Sequence, residues 1–130
     1  MIAINDPQTL AEVEAAFARY EVALVTNNVE VLDELFLDEP TTIRYGTAEN
    51  LYGMEAIRAF RQARSPAGLE RKLEGTQITT YGRDFAVAST LFRRDGGNGK
   101  IGRQMQTWIR TDAGWRVAAA HVSIIDEPAP

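Results

Sequence analysis

The spacing of apolar residues changes half-way along this chain, from the period of helices to the alternation of strands. In the first half, one stripe with 3, 4, 3, 4 spacing is formed by Leu10, Val13, Phe17, Tyr20 and Leu24. This stripe predicts a helix from about Pro7 to Thr26, with Asp6 as its N-cap. Two further helices are predicted in "NNVEVLDELF" and "MEAIRAFRQAR", and a strand begins between them in "DEPTTIRYG".

The second half predicts four strands, in "LERKLEGTQITTYG", "FAVASTLFRR", "IGRQMQTWIRT" and "WRVAAAHVSII". Their connections, "YGRD", "DGGNGK" and "TDAG", are short and rich in turn residues. Short connections make neighbouring strands antiparallel. We therefore predict one α+β domain over residues 1–130, in which three N-terminal helices pack on a curved antiparallel sheet. The sheet is expected to form an open cone, with a cavity between its concave face and the first helix.

Composition excludes several classes of site and partner. The 130 residues include no cysteine and one histidine, which excludes disulfides, thiolate metal sites and multi-histidine metal sites within one chain. We expect no metal and no cofactor. The net charge of −4, with scattered basic residues, argues against nucleic acid as a partner. The first residues show neither a signal peptide nor a membrane span, so we expect a cytoplasmic protein.

The last predicted strand is apolar on both faces. Strict alternation puts Trp115, Val117, Ala119, His121 and Ser123 on one face, and Ala118, Ala120, Val122 and Ile124 on the other. Helices can cover only one of these faces. A second copy of the chain on the other face would bury it, which predicts a homodimer.

Arg44 is a permanent cation in a segment that otherwise suits burial, "TTIRYGTAENLYG". A buried arginine without a fixed carboxylate is costly. Two interpretations follow: Arg44 meets the carboxylate of a small anionic substrate, or it forms a salt bridge, for which Glu49 is the nearest candidate. Glu49 and Tyr52 are also weaker candidates for the lining of a pocket.

Inward residues on three predicted elements could complete such a pocket. Tyr20 lies on the apolar stripe of the first helix, either as a core tyrosine bonded at the rim or as a proton donor or acceptor. Arg64 ends the third helix and is either a second carboxylate clamp or a solvent-facing residue favoured by the helix dipole. Gln104, Gln106 and Trp108 share one strand face, and two inward glutamines suit the donors and acceptors of a urea; the alternative is an exposed polar face.

The order of elements and the closing stretch "TWIRTDAGWRVAAAHVS" resemble the nuclear transport factor 2-like, or SnoaL-like, fold. A narrower resemblance lies in "RYEVALVTNNVEVLDELF", "RYGTAENLYGMEAIRAFRQAR" and "ITTYGRDFAVAS". With the closing stretch, these strings are similar to the AtzH-like family, which includes the HpxZ proteins. The resemblance implies that His121 and Ser123 lie on the concave face, where His121 is either a core residue or a proton shuttle.

The AtzH-like resemblance also implies an activity. Family members are linked to the breakdown of ureido-carboxylates alongside amidases, and at least one branch is a metal-free decarboxylating amidohydrolase acting on 1,3-dicarboxyurea. The key tyrosine and arginine of the family map to Tyr20 and Arg44. Two alternatives stay open: a non-catalytic protein that binds a ureido metabolite or supports a partner amidase, and a different lyase or isomerase reaction on the same fold.

Overall fold

The structure is a computed structural model, and it describes residues 1–127. Three helices cover one face of a curved, unclosed sheet of six strands, which confirms the predicted α+β class. The helices are α1 (Pro7–Val25), α2 (Val29–Leu35) and α3 (Met54–Ala63). The strands are β1 (Ile43–Tyr45), β2 (Asn50–Tyr52), β3 (Lys72–Tyr81), β4 (Phe85–Arg93), β5 (Lys100–Thr111) and β6 (Gly114–Asp126). No helix in this part of the chain is long and apolar enough to span a membrane.

Helix α1 begins and ends where its sequence predicts. The Asp6 carboxylate accepts hydrogen bonds from the backbone N–H of Thr9, at 3.1 Å, and from its hydroxyl, at 2.9 Å. These bonds satisfy one of the free donors of the first turn. The chain then turns at Asn27 in a left-handed conformation (φ 52°), and Asn28 caps α2. The buried face of α1 is the predicted stripe from Val13 to Leu24.

The sheet has the order β2-β1-β6-β5-β4-β3. Strands β3 to β6 form the predicted antiparallel meander. The remaining two strands depart from a purely antiparallel sheet, because β1 lies parallel to β6 and forms a hairpin with the unpredicted strand β2. This arrangement places Arg44 beside Ala120 and opposite Leu51, on the face that the helices cover.

A β-bulge in β6 inverts the alternation of its side chains. Thr107 of β5 pairs with Ala119, whereas the next residue, Trp108, pairs with Val117, so that Ala118 is the extra residue. Val117 and Ala120 are therefore both buried.

The prediction that Trp115, His121 and Ser123 share one face is consequently wrong. Trp115 faces the core, while His121 is exposed on the opposite face of the sheet. One extra residue moves all downstream side chains to the other face.

Gly102 of β5 lies directly opposite Phe92 of β4, and the Phe92 ring occupies the space that a side chain at residue 102 would take. A methyl group at Gly102 would lie 2.2 Å from Phe92 Cζ. We expect Gly102→Ala to lower the free energy of unfolding by about 1–3 kcal/mol, because the buried ring must move. Chemical denaturation checks this. Glu14→Ala, on the exposed face of α1, should change it by less than about 0.5 kcal/mol. Equal midpoints for both variants would contradict the expectation.

Candidate anion-binding site

Tyr20 lies at the centre of the space between the helices and the sheet. Its side chain is 5% exposed. The ring packs edge-on against Trp108, at 6.5 Å between centroids, and tilted against Phe36, at 6.3 Å. The hydroxyl forms no hydrogen bond with any other residue in the range 1–127. Tyr20 is therefore buried as a core tyrosine would be, while its polar atom remains free for another partner.

Five arginine side chains surround this space, and each stacks on an aromatic ring. Arg44 and Arg64 both lie over Phe60, at 5.2 and 5.8 Å from the ring centroid. We call Phe60 with these two arginines the α3 arm of the site. Stacking of this kind stabilises a guanidinium where water is scarce.

On the side of the site formed by β4, two arginines also stack on one phenylalanine ring. Arg71 and Arg94 both lie over Phe92, at 4.6 and 4.8 Å. We call Phe92 with these two arginines and Gln104 the β4 arm. The fifth arginine, Arg61, lies over Phe36 at 4.1 Å.

Three of the five arginines have a carboxylate partner. Arg44 Nη1 donates to Glu49 at 2.8 Å, and Arg61 Nη1 donates to Asp33 at 2.9 Å. Arg71 forms a two-pronged pair with Glu21, at 2.9 and 2.6 Å. Such pairs offset the cost of removing the charges from water.

Arg64 and Arg94 have no carboxylate partner within residues 1–127. Burial lowers the pKa of Arg64, and the neighbouring charges of Arg44 and Arg61 lower it further. Burial also lowers the pKa of Arg94, with Arg71 as the next cause. The Tyr20 phenol is a smaller, opposing cause that raises the pKa of both groups. An arginine stays charged at neutral pH, and these two charges are therefore uncompensated.

The buried polar atoms without a partner are mostly donors. Among residues 1–127 they include five nitrogens, namely Arg64 Nε and Nη2, Arg94 Nε, Gln104 Nε2 and Gln106 Nε2. The other two are oxygens, Asn27 Oδ1 and Thr80 Oγ1, on the α1–α2 turn and on β3. An unpartnered buried donor costs about 1–3 kcal/mol. A cluster of them indicates that a molecule with acceptor groups completes the site.

The orientation of both glutamine amides is fixed by a neighbour. Gln104 Oε1 accepts from Arg71 Nη2 at 3.0 Å, and Gln106 Oε1 accepts from the Trp108 indole N–H at 3.1 Å. In each case the oxygen is used and the NH₂ group is left free. Gln104 and Gln106 are 2% and 1% exposed. This face of β5 therefore points inward, as the alternation predicts.

Arg44 adopts the ion-paired alternative. Its side chain is 12% exposed, and Glu49 occupies Nη1. The lack of a side chain at Gly46 makes the pair possible, since a methyl group there would lie 1.7 Å from Glu49 Oε1. A guanidinium carries five N–H donors. Glu49 therefore leaves other donors of Arg44 available beside Arg64.

Three candidate residues lie outside this site, on the opposite face of the sheet. The His121 ring meets the Tyr45 ring edge-on at 5.9 Å. The Tyr52 hydroxyl lies 2.9 Å from that of Tyr45, and this hydrogen bond raises the pKa of Tyr52. Ser123 Oγ accepts from Arg103 Nε at 3.1 Å. The bulge in β6 and the register of β1 and β2 thus separate these side chains from Tyr20.

The family model for AtzH-like proteins matches residues 2–128. The chain belongs to the AtzH-like family. No curated protein matches the chain significantly.

Solved structures resemble this AtzH-like protein over most of its length. A protein of unknown function from the DUF3225 family of Pectobacterium atrosepticum is 60% identical, with 95% of each chain covered and a TM-score of 0.93. A cystatin-like fold protein from Burkholderia xenovorans is 48% identical, with 98% of this chain and 100% of that chain covered and a TM-score of 0.93.

More distant structures share the fold alone. An NTF2-like protein of unknown function from Pseudomonas putida is 15% identical, with 95% of this chain and 97% of that chain covered and a TM-score of 0.78. The nuclear transport factor 2-like fold predicted for the AtzH-like protein is thereby confirmed.

The sequence reasoning missed Arg61, Arg71 and Arg94. Alternation along β4 could have found Arg94: Phe92 is an inward position, and the residue two further along faces the same way. Helical spacing could have found Arg61, which lies seven residues after Met54 and four after Ile57 on the buried face of α3. Arg71 carries no comparable signal, because its burial depends on Glu21 of α1. No group of three or more possible metal ligands occurs in the part of the chain that the structure describes.

Proposed function

We propose that this AtzH-like protein is a metal-free decarboxylating amidohydrolase that acts on a carboxylated urea similar to 1,3-dicarboxyurea. The observation that carries the proposal is the set of five buried, unpartnered N–H donor nitrogens on Arg64, Arg94, Gln104 and Gln106, together with the free hydroxyl of the buried Tyr20. A small molecule with carboxylate and carbonyl oxygens supplies acceptors for all of them. Family membership supports the same class of substrate.

The donors match the two kinds of acceptor in such a molecule. Arg64 offers Nε and Nη2, the pair of donors that grips a carboxylate from the side. Gln104 and Gln106 offer their NH₂ groups from one strand face, where they suit a urea carbonyl oxygen. The planar substrate would thus be held at its carboxylate and at its carbonyl group.

The chemistry needs one proton and no external oxidant or reductant. In an N-carboxyurea, the bond between nitrogen and the carboxylate carbon breaks, and its electron pair stays on the nitrogen. The nitrogen takes a proton and the carboxylate leaves as carbon dioxide. Tyr20 would deliver that proton directly or through a water and regain it from solvent. General acid catalysis of this kind contributes about 10²- to 10⁴-fold in rate.

Arg44 is proposed to hold the carboxylate that remains on the product. An arginine on the departing carboxylate would stabilise the charged ground state more than neutral carbon dioxide, which would slow the reaction. The ion pair with Glu49 compensates the charge of Arg44 and fixes the orientation of its guanidinium. A substrate-analogue complex with Arg44 on the departing group would contradict this assignment.

Carbon dioxide release tests the function. Wild-type protein is offered 1,3-dicarboxyurea, allophanate and oxalurate, and we expect release from a carboxylated urea that is strongly reduced in Arg44→Ala. No release from any of the three would overturn the proposed activity. Retained anion binding without turnover, together with copurification of an amidase, would support the accessory role instead.

Isomerase or lyase chemistry with a carboxylate base has less support. The carboxylates that reach this part of the protein are Glu21, Asp33 and Glu49, and each is bound to an arginine. Each of these three carboxylates is thus oriented toward a guanidinium of the protein and not toward a ligand.

The outward face of the sheet supports a homodimer, which we propose as the state in solution. Met105 is 57% exposed there, and it lines a groove together with apolar side chains that include Ile43, Val87 and Ala119. The Tyr45 and His121 rings lie at the same groove. This groove carries no formally charged side chain. A second copy presents the same uncharged surface, which is what a two-fold interface requires.

We expect wild-type protein to elute as a dimer in size-exclusion chromatography with light scattering. Met105→Glu should elute as a monomer with an unchanged circular dichroism spectrum, because the interface would bury an unpaired charge. Val22→Glu is the matched control, since Val22 is equally exposed, at 62%, but lies on α1. A monomeric wild type, or a dimer that tolerates Met105→Glu, would contradict the proposal.

A further inference from the structure

Arg93 and Arg94 are adjacent arginines with opposite surroundings. Arg93 points outward at the end of β4, where Nε donates to Glu74 at 2.9 Å and the guanidinium also pairs with Glu127. Arg94 points to the inner face, over the Phe92 ring, and its Nε is buried without a partner. The outward arginine is compensated and the inward one is not.

The inner arginines differ in whether a carboxylate compensates their charge. Glu49, Asp33 and Glu21 neutralise Arg44, Arg61 and Arg71. Within residues 1–127, the inner guanidiniums left without a carboxylate are those of Arg64 and Arg94. Two uncompensated, half-buried charges favour a ligand with two negative charges.

These two guanidiniums belong to different arms of the site. Arg64 stacks on Phe60 in the α3 arm, and Arg94 stacks on Phe92 in the β4 arm. The β4 arm also holds Gln104, whose oxygen is bound by Arg71 and whose Nε2 is unpartnered. Each arm therefore offers its own N–H donors for an anionic group.

We propose that Arg94 and Gln104 form a second anion subsite, so that the pocket binds a small dianion with one charged group on each arm. The proposal deepens the proposed function, on which it rests for the identity of the pocket. Because Arg44 and Arg64 hold the retained carboxylate on the α3 arm, the departing carboxylate would lie in this subsite. Arg94 would act there as a specificity residue that distinguishes dianions from monoanions, and its contact with the departing group would add affinity at the expense of rate.

Isothermal titration calorimetry with malonate, succinate and acetate tests this subsite. Of malonate and succinate, one will bind the wild-type protein more tightly. We expect Arg94→Gln to weaken binding of that dianion about 10- to 100-fold, the usual effect of losing a hydrogen bond to a charged group. Acetate should bind Arg94→Gln within about threefold of wild type, because Arg64 remains. The matched control Arg93→Gln should bind all three probes like wild type. Arg94→Lys, which keeps the charge, should recover part of the lost affinity.

Wild-type affinity for dianions in Arg94→Gln, or an equal loss in Arg93→Gln, would overturn the subsite. The outcome is separable from that of the proposed function. If the protein binds dianions through Arg94 but turns over no substrate, the proposed activity is rejected and the subsite is supported. If Arg94→Gln turns over substrate with an unchanged KM, the subsite is rejected and the proposed activity is supported.

Discussion

Tyr20→Phe is expected to keep the fold and to lose about 10²- to 10⁴-fold in kcat, the range that a positioned proton donor contributes. The phenyl ring retains its packing against Trp108 and Phe36. The hydroxyl forms no hydrogen bond within residues 1–127, so removing it leaves no protein donor or acceptor unpaired. Steady-state kinetics with a carboxylated urea, alongside a thermal melt, would show a large change in rate and a small change in stability.

Tyr45→Phe is the control for this experiment. Tyr45 also carries a phenol in an aromatic cluster, but it lies on the outward face beside His121 and Tyr52. Its kcat should stay near that of wild type. If Tyr20→Phe is equally active, the phenol is not the proton donor and the mechanism proposed here fails.

Arg64→Met is expected to lose affinity and gain stability at the same time. Loss of two charge-assisted hydrogen bonds should raise KM by about 10- to 100-fold or more. The free protein should become more stable, because a half-buried cation without a partner is replaced by an apolar side chain. A gain of about 0.5–2 kcal/mol is typical where a functional residue is removed. Such opposite effects distinguish a binding residue from one that maintains the fold.

Arg58→Met on the same helix provides the comparison. Arg58 is exposed and pairs with Asp38 at 2.9 Å, so its replacement should change both KM and stability little. Thermal denaturation without ligand and kinetics with substrate measure the two effects. A destabilised Arg64→Met protein would show that Arg64 is a structural residue, and the pocket would lose its main carboxylate contact.

Much of the fold could be predicted from the sequence, because helices and strands follow from short-range patterns. The stripe on α1, the cap at Asp6 and the meander of four strands all depend on residues close together in the chain. Simple alternation places Gln104, Gln106 and Trp108 on the inner face, and they are buried there.

Features that depend on contacts between residues far apart in the sequence could not be predicted from short-range patterns. The bulge at Ala118 depends on how β6 pairs with β5, and it reversed the predicted positions of His121 and Ser123. The parallel pairing of β1 depends on contact with β6. Whether Arg44 is free or paired depends on the position of Glu49, and the sequence left both alternatives open.

The parallel ladder between β1 and β6 also has a consequence for the order of folding. Its two strands come from distant parts of the chain, so the loop that it closes is long and the contact forms late. Tyr20 can be positioned by helix formation early during synthesis, whereas Arg44 must wait until β6 has left the ribosome. A nascent chain therefore forms the helix that carries Tyr20, the proposed proton donor, well before it forms the ladder that positions Arg44. The proposed site is complete only after β6 has been synthesised.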